Sequence, residues 1–157
     1  MISDLLTCKE IKINLESTEK EECFAELLEP LVAKFSQLNR TEAMNALIAR
    51  EELKSTAIIP GVAIPHAVTG RKLGSPAISI GVSKKGIEFD SVDSSCKDKN
   101  PVVKLIFEIF FEEDDAVKHL QVLRDILQLV NNQDFLNEVV NAQSSQEVYD
   151  IIKFFEG

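Results

Sequence analysis

The chain has 157 residues, of which 45% are hydrophobic, which is enough to bury one sizeable core and too few residues for two. Its net charge of −9, with no run of basic residues, argues against nucleic acid or an anionic membrane as a partner. Three widely spaced cysteines and the lack of a long apolar run argue against a disulfide framework, a zinc knuckle and a membrane span. We therefore expect a single cytoplasmic domain over residues 1–157.

The first elements predicted along the chain are a short strand and a helix. Residues 11–15 alternate apolar and polar side chains, the pattern of a half-buried strand. Thr18 and Glu21 then form a capping box, which predicts the start of a helix whose apolar residues share one face. These apolar residues are Phe24, Leu27, Leu28, Leu31, Phe35 and Leu38. Pro30 predicts a kink or a break in this helix, because proline lacks the amide donor of the helical hydrogen bond.

A second helix and an irregular segment are expected next. Asn39 and Glu42 form another capping box, and the helix that follows carries Arg50 in its last turn. Residues 55–66 combine β-branched side chains with prolines and a glycine, which indicates short strand pieces and tight turns. His66 should therefore lie on or beside a loop.

The middle of the chain predicts a hairpin and a central strand. Residues 76–82 alternate, and Lys-Lys-Gly at 84–86 predicts a turn that leads into a second strand at 87–89. The polar residues 90–100 predict a loop. Residues 102–111 form a nearly continuous apolar run, which is typical of a central strand covered on both faces.

The last third of the chain predicts three helices. They begin near residues 114, 135 and 148, and Ser144 with Glu147 forms a capping box for the last. The first of them should bury one apolar face, made of Leu120, Leu123, Ile126, Leu127 and Val130. Together with the strands, these helices predict an α/β fold in which a mixed sheet of about five strands is flanked by helices.

The chain has only two histidines, His66 and His119. Histidine suits reversible phosphoryl transfer, because its neutral ring is nucleophilic near neutral pH. Pro65 has a restricted backbone and would present the His66 side chain rigidly. Taken alone, this position is better explained as an ordinary surface or core histidine.

Four segments resemble enzyme IIA domains of the mannitol, fructose and nitrogen-regulatory class of the sugar phosphotransferase system. In that family an R-E element precedes an S-T-G-I-G-x-G-I-A-I-P-H stretch, and residues 50–56 and 61–67 match it with the same separation of arginine and histidine. Residues 86–93 resemble the family's G-I-x-F-D-x-x-D turn, and residues 101–107 resemble its P-V-x-L-V-F strand. Residues 119–123 match its second histidine segment, H-L-x-x-L.

The resemblance implies the enzyme IIA fold and a phosphotransferase. His66 would accept a phosphoryl group from an HPr-type phosphocarrier and pass it on, or hold it as a regulatory signal. His119 and Arg50 would stabilise the phosphate, and Ser55 and Thr56 could add hydroxyl donors. Acceptors would be an enzyme IIB or regulatory targets, and no metal or organic cofactor is implied. We favour the nitrogen-regulatory type; the alternatives are a binding protein controlled by phosphorylation, without onward sugar transfer, and a fructose or mannitol component.

Simpler interpretations of these residues exist. Arg50 could complement the dipole at the end of its helix, and the acidic run at 112–115 could be a solvated helix start. If one carboxylate of that run approached His119, it would favour the protonated ring. A metal hydrolase that uses His66 and His119 is disfavoured, because no H-x-x-x-H or H-E-x-x-H spacing exists.

The chain departs from the family pattern in two places. Ala57 to Pro60 replace the usual glycines, so the loop before Gly61 should be stiffer and should offer fewer amides to a phosphate. Residues 94–100 form a longer polar connection than usual, which could tune the choice of partner. A docking patch for a phosphocarrier would be apolar, and its candidates are Ile58, Ile59, Val62 and Val68.

Overall fold

The computed structural model of the protein describes residues 1–92 and 100–157. These residues form five α-helices, α1 (Lys20–Lys34), α2 (Arg40–Leu53), α3 (Ala116–Val130), α4 (Gln133–Val140) and α5 (Ser145–Glu156). The same described ranges contain five strands, β1 (Ile11–Lys12), β2 (Val62–Ala63), β3 (His66–Thr69), β4 (Ala77–Glu88) and β5 (Val102–Glu112). The predicted connection at 94–100, apart from Asn100, and the end of the 86–93 motif lie outside the described residues.

The sheet is mixed, as predicted, and β5 is its central strand. β4 pairs antiparallel with one side of β5 and parallel with the short β1. The other side of β5 pairs in parallel with two short strands in succession, β2 and then β3. Ala63 pairs with Ile106 and His66 with Ile109, so the register stays in step although Ile64 and Pro65 interrupt the ladder.

Each face of the sheet carries its own apolar layer. Successive β5 residues alternate between the two: Ile106 and Phe110 pack with α1 and α2, whereas Phe107 and Phe111 pack with α3, α4 and α5. Glu108 lies between Phe107 and Ile109 and is completely buried. Its two carboxyl oxygens have no hydrogen-bond partner within the described part of the chain. None of the described helices is long and apolar enough to cross a bilayer.

The predicted hairpin at 76–89 is wrong, because β4 runs without a turn from Ala77 to Glu88. The Lys-Lys-Gly segment is instead a bulge: Val82 pairs with Leu105 and Ile87 with Val103, so β4 contains extra residues between these pairs. Gly86 has a φ of +90°, which glycine adopts without a steric penalty. The local turn signal was real, but pairing with the long β5 on both sides of it continues the strand.

The prediction for the start of α1 is also wrong. The helix begins after Glu19, whose side chain makes no capping hydrogen bond, and the amide and hydroxyl of Thr18 bind the Glu22 carboxylate instead. Pro30 does not break α1, which continues to Lys34. Phe35 and Leu38 are buried beyond its end rather than on its face.

The later caps are confirmed in part. Asn39 accepts the Glu42 amide at 2.9 Å and Ser144 accepts the Glu147 amide at 3.1 Å, as expected of N-caps. The Glu42 carboxylate does not complete its box, because it binds Arg71.

The predicted buried face of α3 needs correction. Leu120 is 66% exposed, and the fully buried positions of this helix are Val122, Ile126, Leu129 and Val130. Leu123 and Leu127 are only partly buried. The buried face is therefore rotated away from Leu120, because α3 packs on the sheet and on α5 through the opposite edge of its apolar stripe.

Candidate active site

His66 is the first residue of β3 and follows the interruption at Ile64 and Pro65. Its Nδ1 lies 2.7 Å from the carbonyl oxygen of Ile64. A carbonyl oxygen only accepts hydrogen bonds, so Nδ1 carries the proton in this contact and the neutral ring keeps the lone pair on Nε2. The local backbone therefore selects the tautomer and leaves Nε2 as the nucleophilic atom.

His119 lies next to His66 although the two are far apart in the sequence. It sits in the first turn of α3, where Asp115 caps the helix by accepting the Lys118 amide. The two imidazole centroids are 5.6 Å apart and the ring planes meet at 76°. The Phe111 ring stacks on His119 with a centroid distance of 4.0 Å and an angle of 15°.

Arg50 reaches the same place from the last turn of α2. Its Nη1 donates to the carbonyl oxygen of Lys54 at 3.0 Å, which ties the guanidinium to the end of its own helix. A cavity of about 250 Å³ brings Arg50 and His66 together, and the other residues that line it are Lys54, Ser55, Thr56, Ile58, Ile64, Leu123 and Leu127. Organic cofactors and drug-sized ligands usually occupy about 300–1,000 Å³, so this cavity suits a smaller group.

The electrostatics keep both histidines neutral near pH 7. Burial is the main cause that lowers the pKa of His66; the Ile64 carbonyl opposes it, and the charges of Arg50 and His119 lower the pKa further. Burial also lowers the pKa of His119, and Arg50 adds to that effect. A neutral His66 is the nucleophilic form, and it is available below the usual pKa of histidine as well as above it.

Ser55 and Thr56 line the cavity but are buried, and their hydroxyl groups differ in availability. The Thr56 hydroxyl donates to Glu51 at 2.8 Å and the Thr56 amide donates to the other Glu51 oxygen at 2.7 Å. The Ser55 hydroxyl accepts the Ala57 amide at 3.2 Å, which leaves its proton free to donate. Of the two, Ser55 is the better candidate to contact a phosphate.

The loop before His66 replaces the expected glycines with a defined turn. The Val62 amide donates to the Ile59 carbonyl at 3.0 Å, which closes a four-residue turn with Pro60 and Gly61 at its centre. Gly61 has a φ of +79°, as a type II turn requires at its third position. The stiffness expected from the sequence thus has a structural basis.

The acidic run does not bear on His119. Glu112 accepts the Leu73 and Gly74 amides, which lower its pKa, and Asp114 pairs with Lys72 at 3.4 Å. Asp115 serves as the helix cap. Within residues 1–92 and 100–157, no carboxylate forms an ion pair with His119, so the hypothesis of a carboxylate that favours its protonated ring has no support.

The candidates for an apolar docking patch separate into two groups. Ile58 is 56% exposed and Val68 is 47% exposed, whereas Val62 belongs to the core and Ile59 packs partly against it. The exposed Leu120, one residue from His119, was not among the candidates. Across the described residues, no group of three or more His, Cys, Asp or Glu side chains could hold a metal ion.

Sequence reasoning missed Phe111 and Glu51. Phe111 looked like one more apolar residue of a central strand, and only the fold shows that its ring faces His119. Glu51 could have been noticed, because it belongs to the R-E element, but its burial at 4% exposure and its bonds to Thr56 depend on the path of the chain after α2.

Known proteins resemble this chain over nearly its full length. The fructose-specific EIIABC component of Bacillus subtilis is 35% identical over 96% of the chain, which spans only 23% of that longer protein. The nitrogen regulatory protein IIA-Ntr of Neisseria meningitidis has a similar structure, with a TM-score of 0.82, 26% identity and coverage of 96% of this chain and 98% of that one. The fold is also that of the enzyme IIA solved in complex with phosphorylated enzyme IIB of the Escherichia coli mannitol system, with a TM-score of 0.75, 18% identity and coverage of 95% and 97%.

A family profile decides the assignment. It describes the phosphoenolpyruvate-dependent sugar phosphotransferase system, EIIA 2, and it matches residues 4–154. The chain belongs to this family.

Proposed function

We propose that the protein accepts a phosphoryl group on Nε2 of His66 from an HPr-type phosphocarrier and passes it to a further protein. One observation carries this proposal: the Ile64 carbonyl occupies Nδ1 and leaves Nε2 free in a cavity that Arg50 also lines. Membership of a phosphotransferase family supports the same chemistry.

The proposed transfer is an in-line exchange between two histidine nitrogens. The lone pair of Nε2 forms the new N–P bond while the bond to the donor nitrogen breaks and its electron pair returns to the donor. Nδ1 keeps its proton in the contact with Ile64 throughout. The phosphorylated ring thus stays protonated at Nδ1, which makes it a good leaving group when the phosphoryl group moves on.

The surrounding groups fit the charge that this step develops. Negative charge spreads over the equatorial phosphate oxygens, and the guanidinium of Arg50 supplies a fixed cation with several donors. An N–H group of the neutral His119 ring adds a donor, and Ser55 adds a hydroxyl proton. Partial burial strengthens these interactions, because less water screens them.

We favour a nitrogen-regulatory role in the cytoplasm, in which the phosphorylation state of His66 controls the binding of target proteins. The structural similarity to IIA-Ntr over the full length of that chain supports it. A second candidate is onward transfer to an enzyme IIB of a fructose system, which the 35% identity to the fructose-specific protein supports. Transfer from the phosphorylated protein to a fructose-type enzyme IIB would separate the second role from the first.

The primary test is labelling by a phosphorylated HPr-type donor. We expect the label on His66, none in His66→Ala, and slower labelling of His66 in His119→Ala. His119 is the matched control, because it is the only other histidine in the chain. Label on His119 of the wild type, or undiminished labelling of His66→Ala, would overturn the assignment.

A further inference from the structure

The strongest unexplained contact in the site is the one between Phe111 and His119. Phe111 is 1% exposed and lies near the end of β5, five residues before the first residue of α3. Its ring is nearly parallel to the His119 imidazole, at 15°, and its centroid is 4.0 Å away. The chain therefore leaves the sheet and returns at once, so that the first turn of α3 lies over the end of the strand.

The same phenyl ring also meets His66. The centroids of Phe111 and His66 are 6.4 Å apart and their planes meet at 76°. The angle between His66 and His119 is 76° as well, as expected when Phe111 and His119 lie parallel. Phe111 thus covers one face of His119, while His66 stands roughly at right angles to both rings.

Among the described residues, the other ring that contacts His119 is His66, which meets it edge-on and does not stack on it. The Asp115 cap holds the backbone of the first turn of α3, but the His119 side chain forms no hydrogen bond with another described residue, and the residue is partly exposed. An exposed histidine changes rotamer freely on a fast timescale. Stacking on a buried ring favours one rotamer by a factor of about 2 to 10.

We propose that Phe111 is a positioning residue that holds His119 against His66 by stacking on its imidazole. The inference rests on the proposed phosphoryl transfer for its functional consequence. In that reaction Phe111 touches neither the phosphate nor the reacting nitrogen, and it acts only through His119. When the His119 ring is already oriented, no further conformational entropy is lost in ordering it as the transition state forms.

The test compares substitutions of two buried phenylalanines. Phe111→Leu removes the stacked ring, and Phe107→Leu is the matched control, because Phe107 is buried in the same apolar layer on the same strand. Phe111→Tyr restores an aromatic ring. Each variant is also made in the His119→Ala background, and the rate of His66 labelling by a phosphorylated HPr-type donor is measured.

We expect Phe111→Leu to slow labelling by a factor of about 2 to 10 relative to Phe107→Leu, and Phe111→Tyr to recover the loss. In the His119→Ala background, Phe111→Leu should cause no further loss beyond that of Phe107→Leu, because the residue through which it acts is gone. Equal rates for the two leucine variants, or an undiminished effect of Phe111→Leu without His119, would overturn the proposal.

Proton NMR separates this inference from the proposed function. The Phe111 ring current should shift the His119 ring protons upfield in the wild type, and the shift should disappear in Phe111→Leu while it persists in Phe107→Leu. Ring-to-ring contacts between His119 and His66 should weaken in the same variant alone. If the wild type accepts no label, the proposed function fails, and unchanged His119 signals in Phe111→Leu would then refute the positioning role separately.

Discussion

At the scale of single residues, the chemistry of the site depends on a few neighbours of His66. Burial is the main cause of its lowered pKa, and Arg50 lowers it further, while the Ile64 carbonyl opposes both. Burial also lowers the pKa of His119, and Arg50 adds to that effect, so one cation acts on both rings in the same direction. Burial and Arg50 together therefore favour the neutral, nucleophilic form of the His66 ring.

The substitution Arg50→Gln should therefore raise the pKa of both His66 and His119. Burial remains in the variant, so neither ring should become an ordinary solvent-exposed histidine. An NMR titration of the ring protons measures both values, and His119→Ala assigns the signals, because the chain has only two histidines.

Arg124→Gln is the control for this titration. Arg124 is an exposed arginine on α3, the helix that carries His119, and it lowers the pKa of neither histidine. Its removal changes the net charge by the same amount. Equal shifts in the two variants would mean that overall charge, rather than the proximity of Arg50, depresses the pKa values.

At the scale of elements, the end of α2 is closed by two interactions that belong together. Arg50 donates to the Lys54 carbonyl, and Glu51 accepts both the amide and the hydroxyl of Thr56. Carbonyl groups at a helix end need partners, and here a side chain of the helix itself supplies one. The turn after α2 therefore fixes the position of Arg50 relative to Ser55 and Thr56, which line the same cavity.

Thr56→Val tests this closure. Valine keeps the shape of threonine and removes its hydroxyl, which leaves one oxygen of the buried Glu51 carboxylate without its partner. We expect a loss of about 1–3 kcal/mol in the free energy of unfolding, measured with denaturant. Thr56→Ser retains the hydroxyl and should lose less; if both variants lose the same amount, the Glu51 contact contributes no stability.

The elements also show what the sequence could predict. Side-chain caps at Asn39 and Ser144 were correct, because a cap depends on residues within one turn of the helix. The hairpin turn predicted at 84–86 was wrong, because β5, which is distant in sequence, pairs with β4 on both sides of this segment and makes it a bulge. The predicted buried face of α3 was wrong for the same reason, since packing against the sheet decides which side of a broad apolar stripe is buried.

The features of the site also separate into those that the sequence predicted and those that depend on the fold. The family signature brought Arg50 and His66 into one prediction, and the H-L-x-x-L segment added His119. The stacking of Phe111 and the Glu51 bonds could not be predicted, because each joins positions whose approach is created by the fold. The spacing of residues in a sequence can identify candidate site residues, whereas the orientation of their rings depends on the strand and the helix that carry those residues.

At the scale of the whole molecule, Glu108 is a buried polar residue that destabilises the folded state. It is fully buried beside Ser79 in the β4 pairing and has no hydrogen-bond partner among the described residues. Burial raises the pKa of its carboxyl group well above the usual value of 4.5. Burial, with Glu108 nearby, also raises the pKa of the Cys23 thiol, which keeps that thiol protonated.

A raised pKa in the folded state makes stability depend on pH. Between the unfolded and folded pKa values of Glu108, the folded protein holds a proton that the unfolded chain has lost. The unfolded state then binds fewer protons, so the contribution of Glu108 to stability falls as the pH rises from 4.5 towards the folded value. Below 4.5 both states are protonated and this contribution is constant.

Glu108→Met should therefore stabilise the protein, and its advantage over the wild type should grow from pH 5 to pH 8. We expect a gain of at least about 1 kcal/mol at pH 8, because methionine fills the space of glutamate without an unpaired polar group. Denaturant unfolding at both pH values measures the difference.

Glu108→Gln is the isosteric control. Glutamine has no ionisable proton but remains a buried polar group. Relative to the wild type, Glu108→Gln should therefore gain stability only as the pH rises, without the pH-independent gain of Glu108→Met. If Glu108→Met has the same advantage at both pH values, Glu108 binds the same number of protons in the folded and unfolded states over this range, and the expected pH dependence is wrong.

The interruption between β2 and β3 affects how the tautomer of His66 can change in evolution. Proline at position 65 cannot donate to the ladder, and the adjacent Ile64 carbonyl binds the His66 ring instead. In many enzymes a separate aspartate selects the histidine tautomer, and one substitution can abolish that selection. Here the selecting group belongs to the main chain, so no replacement of a partner side chain removes it. Heritable variation can alter it only by redirecting the backbone.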